Sequence, residues 1–518
     1  MDKSKNISDR SRREFLRQVG GALGGLTIAG GFGTNPGAQG AIPSAYKFYR
    51  VLVANDGTNP VQSLSAAVMV GAFNNPGKDK QADVIYFHGT TTPQFRTGNP
   101  SALFQANIDY SGARPRITSL EVVVALGDKL QNVAGVARDQ LPIVVGTLGT
   151  GSANSLGNYA TAIAVEDFGQ GAGGSVQVKS SPGVYLFEPL THTWTKRARF
   201  GDPSPDGSKY GGIFGDVVLN DDNSVTLVAA TTAEPNLPTL SASRGSRFSG
   251  LVGSQALIQV APPGSDDSFI VLKSGHLLPG TNAIVESFGI IDVVKTDYFV
   301  AQVTARRPEF SSAATGTGVV RGRLSEVRAN RLDPVTLLSA SSHLLPETMI
   351  RANAVLRGEN IIAPRVGADG RTALVTHNPA SIPGVGSLDL QRLTVFHANG
   401  HRSQVAVAGD LEDVYEVAAF SAPVVSSEGR LIYEAEALVD GTTRLIVRDT
   451  GTNATATILQ SGDQVEEWKI TEIHHGYHSA QVDVEGRLAF AAEFLKDPSA
   501  DPTNPKNIYS SIVVGIPA

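Results

Sequence analysis

A cluster of histidines near the C-terminus is one place where this sequence could do metal chemistry. The segment from Glu472 to His478 reads EIHHGYH and places His474, His475 and His478 within five residues. Neutral imidazole is a common ligand of Zn²⁺ and Cu²⁺. On a strand His475 would point away from the other two, so a shared metal needs a bend, which Gly476 could supply. Two interpretations stay open: a divalent-metal site, and polar loop histidines bonded to backbone or water.

A second set of polar residues recurs along the chain wherever an apolar strand ends. We call these residues the strand-end marks: Asp56, Asp128, Asp202, His276, His343, Asp410 and Asp463. A ring of carboxylates and imidazoles at equivalent positions could bind a cation or a sugar. This hypothesis predicts ligand binding by Asp463, Asp410, His343 and His276. The alternative is structural, because an Asp after Gly can bond its own backbone and end a strand.

A repeated hairpin indicates which elements must position these residues. The segment from Asp483 reads DVEGRLAFAAEF, and related segments begin at Ser426, Gly367 and, more distantly, Asn220. Each combines a turn with a strand whose apolar residues alternate. Three glycines are expected to open the turns: Gly370, Gly429 and Gly486. Six residues are expected to alternate as core positions: Ala373, Val375, Leu431, Tyr433, Leu488 and Phe490.

The spacing of the marks predicts a ring of repeated sheets. The separations are 72, 74, 74, 67, 67 and 53 residues, which suits blades of four strands around an axis. The last mark leaves 55 residues without a final strand, and the 16 residues from Ala41 to Asp56 supply one. The sequence therefore predicts an all-β, seven-bladed β-propeller closed by the N-terminal strand. Six or eight blades, or an open solenoid, are the alternatives.

The composition limits the classes of protein that this chain can belong to. The sequence contains 55 Gly and 28 Pro but no Cys, so disulfides, thioether-linked haem and Cys-ligated clusters are excluded. Apart from the N-terminus, no run of eighteen apolar residues predicts a membrane span. Removal of residues 1–40 leaves 37 basic and 46 acidic residues, a balance that argues against nucleic acid as a partner.

The N-terminus resembles a twin-arginine export signal. Paired Arg12 and Arg13 precede Phe15 and Leu16, a Gly-diluted apolar run follows, and small residues end at Gly40. The resemblance implies a signal peptide over 1–40, a single propeller domain over 41–518, the twin-arginine machinery as a partner, and a periplasmic or secreted protein exported in folded form. The alternative is a basic cytosolic tail beside a short core helix.

The hairpin resembles the secreted bacterial tandem-repeat proteins of the N-x-x-G-x-x-A-F type. The match reads Asp483-x-x-Gly486-x-x-Ala489-Phe490 in the last copy, and only the copy from Asn220 keeps Asn in the first position. The resemblance implies an exported, repetitive all-β protein and supplies no catalytic residues.

Two functions remain after these observations. The first is a monomeric module that binds an unknown ligand or protein of the cell envelope on a loop-lined face and needs no cofactor. The second is a periplasmic or secreted hydrolase or lyase acting on a sugar or an ester. Its metal-assisted site would be formed by EIHHGYH and the marks at the mouth of the central channel.

Overall fold

The computed structural model describes most of the chain from residue 46 to residue 518. The described residues are 46–69, 83–98, 100–136, 141–170, 176–232, 254–293, 297–308, 315–328, 335–352, 355–357, 359–367, 369–382, 386–407, 411–412, 415–420, 423–425, 430–437, 442–452, 454–474, 481–482 and 487–518. They form seven antiparallel sheets that follow one another along the chain. The protein is an all-β, seven-bladed β-propeller, as the spacing of the marks predicts.

The first four blades each begin with an inner strand and end with an outer one. Blade 1 contains β2 (Val61–Met69), β3 (Asp83–Thr91), β4 (Ser101–Asp109) and β5 (Arg116–Ala125). Blade 2 contains β6 (Val144–Ala153), β7 (Tyr159–Gln170), β8 (Val176–Glu188) and β9 (Thr193–Arg199). Blade 3 contains β10 (Lys209–Leu219), β11 (Val225–Thr232), β12 (Ser254–Val260) and β13 (Phe269–Lys273). Blade 4 contains β14 (Ile284–Val293), β15 (Tyr298–Arg306), β16 (Thr315–Arg323), β17 (Thr336–Ala340) and the short parallel β18 (Leu356–Arg357).

The remaining blades follow the same plan with more interruptions. Blade 5 contains β19 (Glu359–Val366), β20 (Thr372–Ile382), β21 (Gly386–Phe396) and β22 (Arg402–Val407). Blade 6 contains β23 (Leu411–Glu412), β24 (Tyr415–Phe420), β25 (Val424–Val425), β26 (Arg430–Ala437), β27 (Thr443–Asp449) and β28 (Thr455–Gln460). Blade 7 contains β29 (Gln464–Val465), β30 (Trp468–His474), β31 (Gln481–Val482), β32 (Leu488–Leu495), β33 (Ile508–Pro517) and β1 (Tyr46–Val53). The short helices are α1 (Leu324–Arg328), α2 (Glu347–Ala352) and the 3₁₀ turns Ser342–Leu344 and Pro505–Asn507.

The two ends of the described chain meet in blade 7. Strand β1 pairs antiparallel with β33, from Tyr46 opposite Pro517 to Val53 opposite Ser511. The Arg50 guanidinium lies 4.0 Å from the centroid of the Trp468 ring and 3.1 Å from the Glu466 carboxylate. The N-terminal strand therefore completes the last sheet, and the predicted closure is confirmed.

Each blade buries both of its faces against its neighbours. The predicted core residues Leu431, Tyr433 and Phe490 are fully buried, but so are Ile432 and Ala489 between them. Ala373, Val375 and Leu488 are fully buried as well. The alternation of apolar residues therefore separates two packed faces of the sheet, because a second blade covers the side that a lone sheet would expose to water.

The antiparallel order of strands divides the loops between two faces of the ring. Connections from an outer strand to the next inner strand, and from the second to the third strand of a blade, lie on one face, which we call the crossover face. Connections from the first to the second strand, and from the third to the fourth, lie on the other, the hairpin face. Loops far apart in the sequence are thereby brought together on one side.

Candidate functional site

Two of the strand-end marks, Asp128 and Asp463, form the same turn on the crossover face. Gly127 and Gly462 adopt φ of 91° and 97°, and the peptide N–H of Asp128 and of Asp463 donates to the carbonyl three residues earlier at 3.0 and 3.1 Å. The carboxylate of Asp463 accepts a hydrogen bond of 3.0 Å from the N–H of Gln460, and Asp128 makes the equivalent bond at 2.9 Å. These bonds give Asp128 and Asp463 a role in ending the outer strands.

The other marks predicted to bind ligand also follow outer strands. His276 is exposed, and its Nδ1 lies 3.4 Å from the N–H of Lys273 in a turn like that of Asp463. His343 is exposed on the 3₁₀ turn after β17, and Asp410 lies outside the described residues. Ligand binding by these marks stays a prediction.

His474, the first residue of the histidine cluster, lies at the other end of its strand from the neighbouring mark. The inner strand β30 starts at Trp468, shortly after Asp463, and ends at His474, so the two residues are associated with opposite faces of the ring. This placement differs from the expectation that histidines and marks share one opening. His475 and His478 lie outside the described residues. Within the described part of the chain, no group of three His, Cys, Asp or Glu side chains is arranged to hold a metal.

The inner hairpins carry the repeated N-x-x-G pattern, including one copy that sequence reading missed. In blade 3 the N–H of Asn220 donates to the carbonyl of Ser224 at 2.9 Å, and Asn223 adopts φ of 64°. Blade 2 has the same turn, with Asn154 N–H 3.0 Å from the carbonyl of Asn158 and Gly157 at φ 80°. The segment from Asn154 to Thr161 reads NSLGNYAT, which fits the Asn, Gly and Ala positions of the pattern and has Thr161 in place of the Phe.

The hairpin face contains a cleft of about 490 Å³ between blades 3 and 4. Four loops meet there: the β10–β11 turn, the β12–β13 loop, the end of β14 with the start of β15, and helix α1. Its lining residues are Asn220, Asp221, Asp222, Ser224, Gln259, Ala261, Pro262, Ser265, Asp267, Phe269, Val293, Asp297, Leu324, Ser325 and Arg328. A volume of this size is typical of small-ligand sites.

A hydrogen-bond network fixes the blade 3 side of the cleft. The Asp222 carboxylate accepts from the N–H and the hydroxyl of Ser224 at 2.9 and 2.6 Å. The buried Gln259 amide donates to the Ser224 hydroxyl at 2.6 Å, and its oxygen accepts from Thr226. The Asp221 carboxylate accepts from the N–H of Ser155 in blade 2 at 2.8 Å. These bonds orient the polar groups before any ligand arrives.

The blade 4 side of the cleft is fixed by the start of helix α1. Asp297 adopts φ of 80°, a conformation that Asp tolerates better than most residues. Its carboxylate accepts from the N–H of Ser325 at 2.7 Å and also from the Ser325 hydroxyl. At the exposed rim, Arg328 pairs with Asp267 of blade 3 at 2.5 Å. The lining residues thus include four carboxylates and one guanidinium.

A second polar cluster lies between the inner strands, where β10, β14 and β19 pack against each other. Asp216 accepts from the N–H of Ile291 at 3.2 Å, and Asp292 accepts from the N–H of Val366 at 2.9 Å. Arg365 lies 4.0 Å from the Asp292 carboxylate. Burial raises the pKa values of both carboxyl groups above the ordinary value of an Asp. The positive charge of Arg365 lowers them, but its effect is smaller than that of burial. Asp216 and Asp292 therefore favour their neutral, proton-carrying form more than an exposed Asp does.

The described residues thus define a seven-bladed propeller with a polar cleft on one face. No helix among them is long and apolar enough to cross a membrane. No family model matches the sequence, and no curated protein matches it significantly.

Solved structures with propeller folds are similar to this chain. An oligogalacturonate lyase from Vibrio parahaemolyticus aligns with 10% identity over 91% of this chain and 97% of its own, with a TM-score of 0.45. An oligogalacturonate lyase in complex with manganese aligns with 9% identity over 91% and 98%, with a TM-score of 0.42. The β-propeller domain of the Trilobed protease from Pyrococcus furiosus aligns with 8% identity over 84% and 93%, with a TM-score of 0.37. These similarities assign no substrate or metal to this chain.

Proposed function

We propose that the protein is an exported binding module that holds its ligand in the cleft between blades 3 and 4. The observation that carries the proposal is the pre-ordered polar lining of this cleft. Asp222, Gln259 and Asp297 are each held by hydrogen bonds within the protein. Binding therefore requires little further ordering of side chains, which is the main cost that a flexible site would add.

A substitution that fills the cleft tests this proposal. Ser265 is exposed in the β12–β13 loop, and Ser265→Trp places an indole at the cleft without changing the core. Ser111→Trp is the matched control, because Ser111 is exposed in the β4–β5 turn on the same face of blade 1. Thermal shifts are measured with a panel of defined sugars, amines, amino acids and short peptides. The proposal requires a stabilising compound whose effect is lost in Ser265→Trp and kept in Ser111→Trp. It fails if every stabilising compound acts equally on both variants.

Export is supported by the arrangement of paired Arg12 and Arg13, apolar run and small residues ending at Gly40. Expression of the full chain in a bacterium with a twin-arginine system should yield mature protein in the periplasm or the medium. Replacing both Arg12 and Arg13 by Lys should leave the precursor in the cytoplasm. Replacing the nearby Lys3 and Lys5 by Arg is the control and should leave export intact. Equal export of both variants would exclude this route.

A hydrolase or lyase acting on sugars or esters is the second candidate function. The inner-strand pair Asp216 and Asp292 favours it, because burial raises the pKa of both carboxyl groups, and a carboxyl group that keeps its proton to higher pH is better suited to act as a general acid. The metal-assisted form of this candidate would use His474, His475 and His478. Turnover of a chromogenic ester or glycoside that disappears in Asp292→Asn, with the fold preserved, would support this candidate. Turnover that persists in that variant would exclude the pair from the chemistry.

A further inference from the structure

The outer hairpin of blade 5 contains a dipeptide whose side-chain amide is chemically reactive. Asn399 is followed by Gly400, and the sequence contains this Asn-Gly pair once. Both residues are exposed in the turn between β21 and β22. Asn is among the thermolabile residues, because the backbone nitrogen of the next residue can attack its side-chain amide. A following Gly has no Cβ that would hinder this attack.

The turn leaves room for the attack around Gly400. The N–H of His397 donates to the carbonyl of His401 at 2.7 Å, and the N–H of Gly400 donates to the carbonyl of His397 at 3.1 Å. Gly400 has φ of +86°, and beyond its chain neighbours no atom would lie within 4 Å of an added Cβ. The attack therefore requires only that the bond from Gly400 opens. An exposed turn beside the outermost strand of a sheet opens at low free-energy cost.

The surroundings of the turn favour the reaction electrostatically. The Oδ1 of Asn399 accepts a hydrogen bond of 3.1 Å from the N–H of His401, which draws electron density from the amide carbon. The Arg321 guanidinium donates at 3.1 Å to the carbonyl of His397, the same carbonyl that accepts from Gly400. A positive charge beside the turn stabilises the negative charge that develops when the Gly400 nitrogen loses its proton.

A second open copy of this turn has an aspartate in the position of Asn399. In the loop between β9 and β10, the N–H of Gly207 donates to the carbonyl of Ser204 at 3.0 Å. The Asp206 carboxylate accepts from the N–H of Ser208 at 3.0 Å. Gly207 has φ of +83°, and no atom would lie within 4 Å of an added Cβ. This turn therefore offers the same space as the turn at Asn399.

A third copy of the turn is covered. In the inner hairpin of blade 5, the N–H of Gly370 donates to the carbonyl of Gly367 at 2.8 Å, and Asp369 is the preceding residue. An added Cβ at Gly370 would lie 2.7 Å from the Tyr298 ring. The buried Arg321 also donates to the carbonyl of Gly370 at 3.0 Å. These contacts oppose the opening of this turn.

We propose that Asn399 deamidates spontaneously in the folded protein because its turn is open. The Gly400 nitrogen gives its proton to solvent and forms a bond to the side-chain carbonyl carbon of Asn399. The bond from that carbon to the amide nitrogen breaks, and ammonia leaves after taking a proton from solvent. Water opens the resulting succinimide ring at either carbonyl, which gives aspartate or isoaspartate at position 399. Bulk water is the co-reactant, and the inference is independent of the proposed function.

Peptide mapping of the incubated protein tests the inference. The purified protein is kept folded at mildly alkaline pH, and a second sample is kept unfolded in urea. Cleavage after Arg392 and Arg402 then releases residues 393–402 as one peptide. The folded sample should yield this peptide with an –OH in place of the –NH2 of the amide. The product should separate by chromatography into an aspartate form and an isoaspartate form of equal mass.

Three variants test whether the open turn controls the reaction. Asn399→Gln keeps an amide but can close only a larger ring, so its peptide should stay unchanged. Asp206→Asn creates an Asn-Gly pair in the second open turn and should convert on the time scale of Asn399. Asp369→Asn creates the pair beneath Tyr298, and it should stay unconverted in the folded protein but convert in urea.

Three results overturn the inference. The first is an unchanged peptide 393–402 from the folded protein after the sample in urea has been converted. The second is a product without isoaspartate, since direct hydrolysis of the amide gives aspartate alone. The third is conversion of folded Asp369→Asn as fast as that of Asn399, which would show that the openness of the turn does not select the site. None of these results depends on ligand binding in the cleft.

Discussion

His88 should make the stability of the ring depend on pH between neutrality and pH 4. Its Nε2 lies 3.2 Å from the hydroxyl of Tyr159, so the pair joins β3 of blade 1 to β7 of blade 2. Tyr159 is fully buried and stacks on Tyr86 with 4.6 Å between ring centroids. Burial in this aromatic contact lowers the pKa of His88 from 6.5 to about 4. The folded protein therefore keeps this imidazole neutral at pH values where the unfolded chain protonates it.

The direction and size of the effect follow from that shift in pKa. Below about pH 6.5 His88 is protonated in the unfolded chain but stays neutral in the folded protein. The free energy of unfolding therefore falls as the pH falls. For a shift from 6.5 to about 4, the loss between pH 7 and pH 4.5 is about 2.5 kcal/mol. The His88 side chain is only half-buried, and solvent screening reduces the expected loss to about 2 kcal/mol. Asp216 and Asp292 act in the opposite sense, since their raised pKa values stabilise the folded state at low pH and lose that contribution as pH rises.

Comparison with a variant isolates the contribution of His88 from those of the carboxyl groups. His88→Gln keeps a polar side chain near Tyr159 but cannot titrate, and His343→Gln replaces an exposed histidine as the control. The free energy of unfolding is measured by urea denaturation at several pH values from 7 to 4.5. Between these limits His88→Gln should lose about 2 kcal/mol less than the parent, and His343→Gln should follow the parent. Identical pH profiles for the parent and His88→Gln would refute the reasoning.

Two further substitutions test the turns that shape the ring. Gly370→Ala should lower the free energy of unfolding by about 1–2 kcal/mol, because φ is +79° and an added Cβ would lie 2.7 Å from the Tyr298 ring. Gly400→Ala, with φ of +86° but no atom within 4 Å, should cost less; an equal cost would contradict the predicted contact. Asp463→Ala should cost about 1 kcal/mol in thermal or urea unfolding, because the N–H of Gln460 loses its carboxylate partner. Asp463→Asn should recover most of that loss, and failure to do so would show that charge rather than hydrogen bonding matters there.

The ring could be predicted from the sequence because every blade repeats the same local requirements. Each outer strand must end in a turn, and the marks Asp128 and Asp463 show that turn in one conformation. The split repeat predicted the pairing of β1 with β33, since an incomplete last sheet would leave an open edge. The turns at Gly429 and Gly486 lie outside the described residues, so their conformation stays a prediction, as does export.

The cleft could not be predicted, because it depends on how loops of different blades meet. Asp222 and Asp297 are far apart in the sequence, and each reads as an ordinary turn residue. Helix α1, which contains Ser325, is an insertion between two strands of blade 4 and is not part of the repeated hairpin. Its sequence gives no indication that it lies next to loops of blade 3. The pair Asp216 and Asp292 could not be predicted for a different reason. An Asp in a strand can face water, and the sequence does not show that these two carboxyl groups are buried.

A crystal structure of the protein grown with a compound that stabilises it in the thermal-shift panel tests the account most directly. It predicts that the compound lies in the cleft between blades 3 and 4, against lining residues such as Ser265 and Phe269. The compound bound only elsewhere, such as beside Asp216 or on the crossover face, would contradict it.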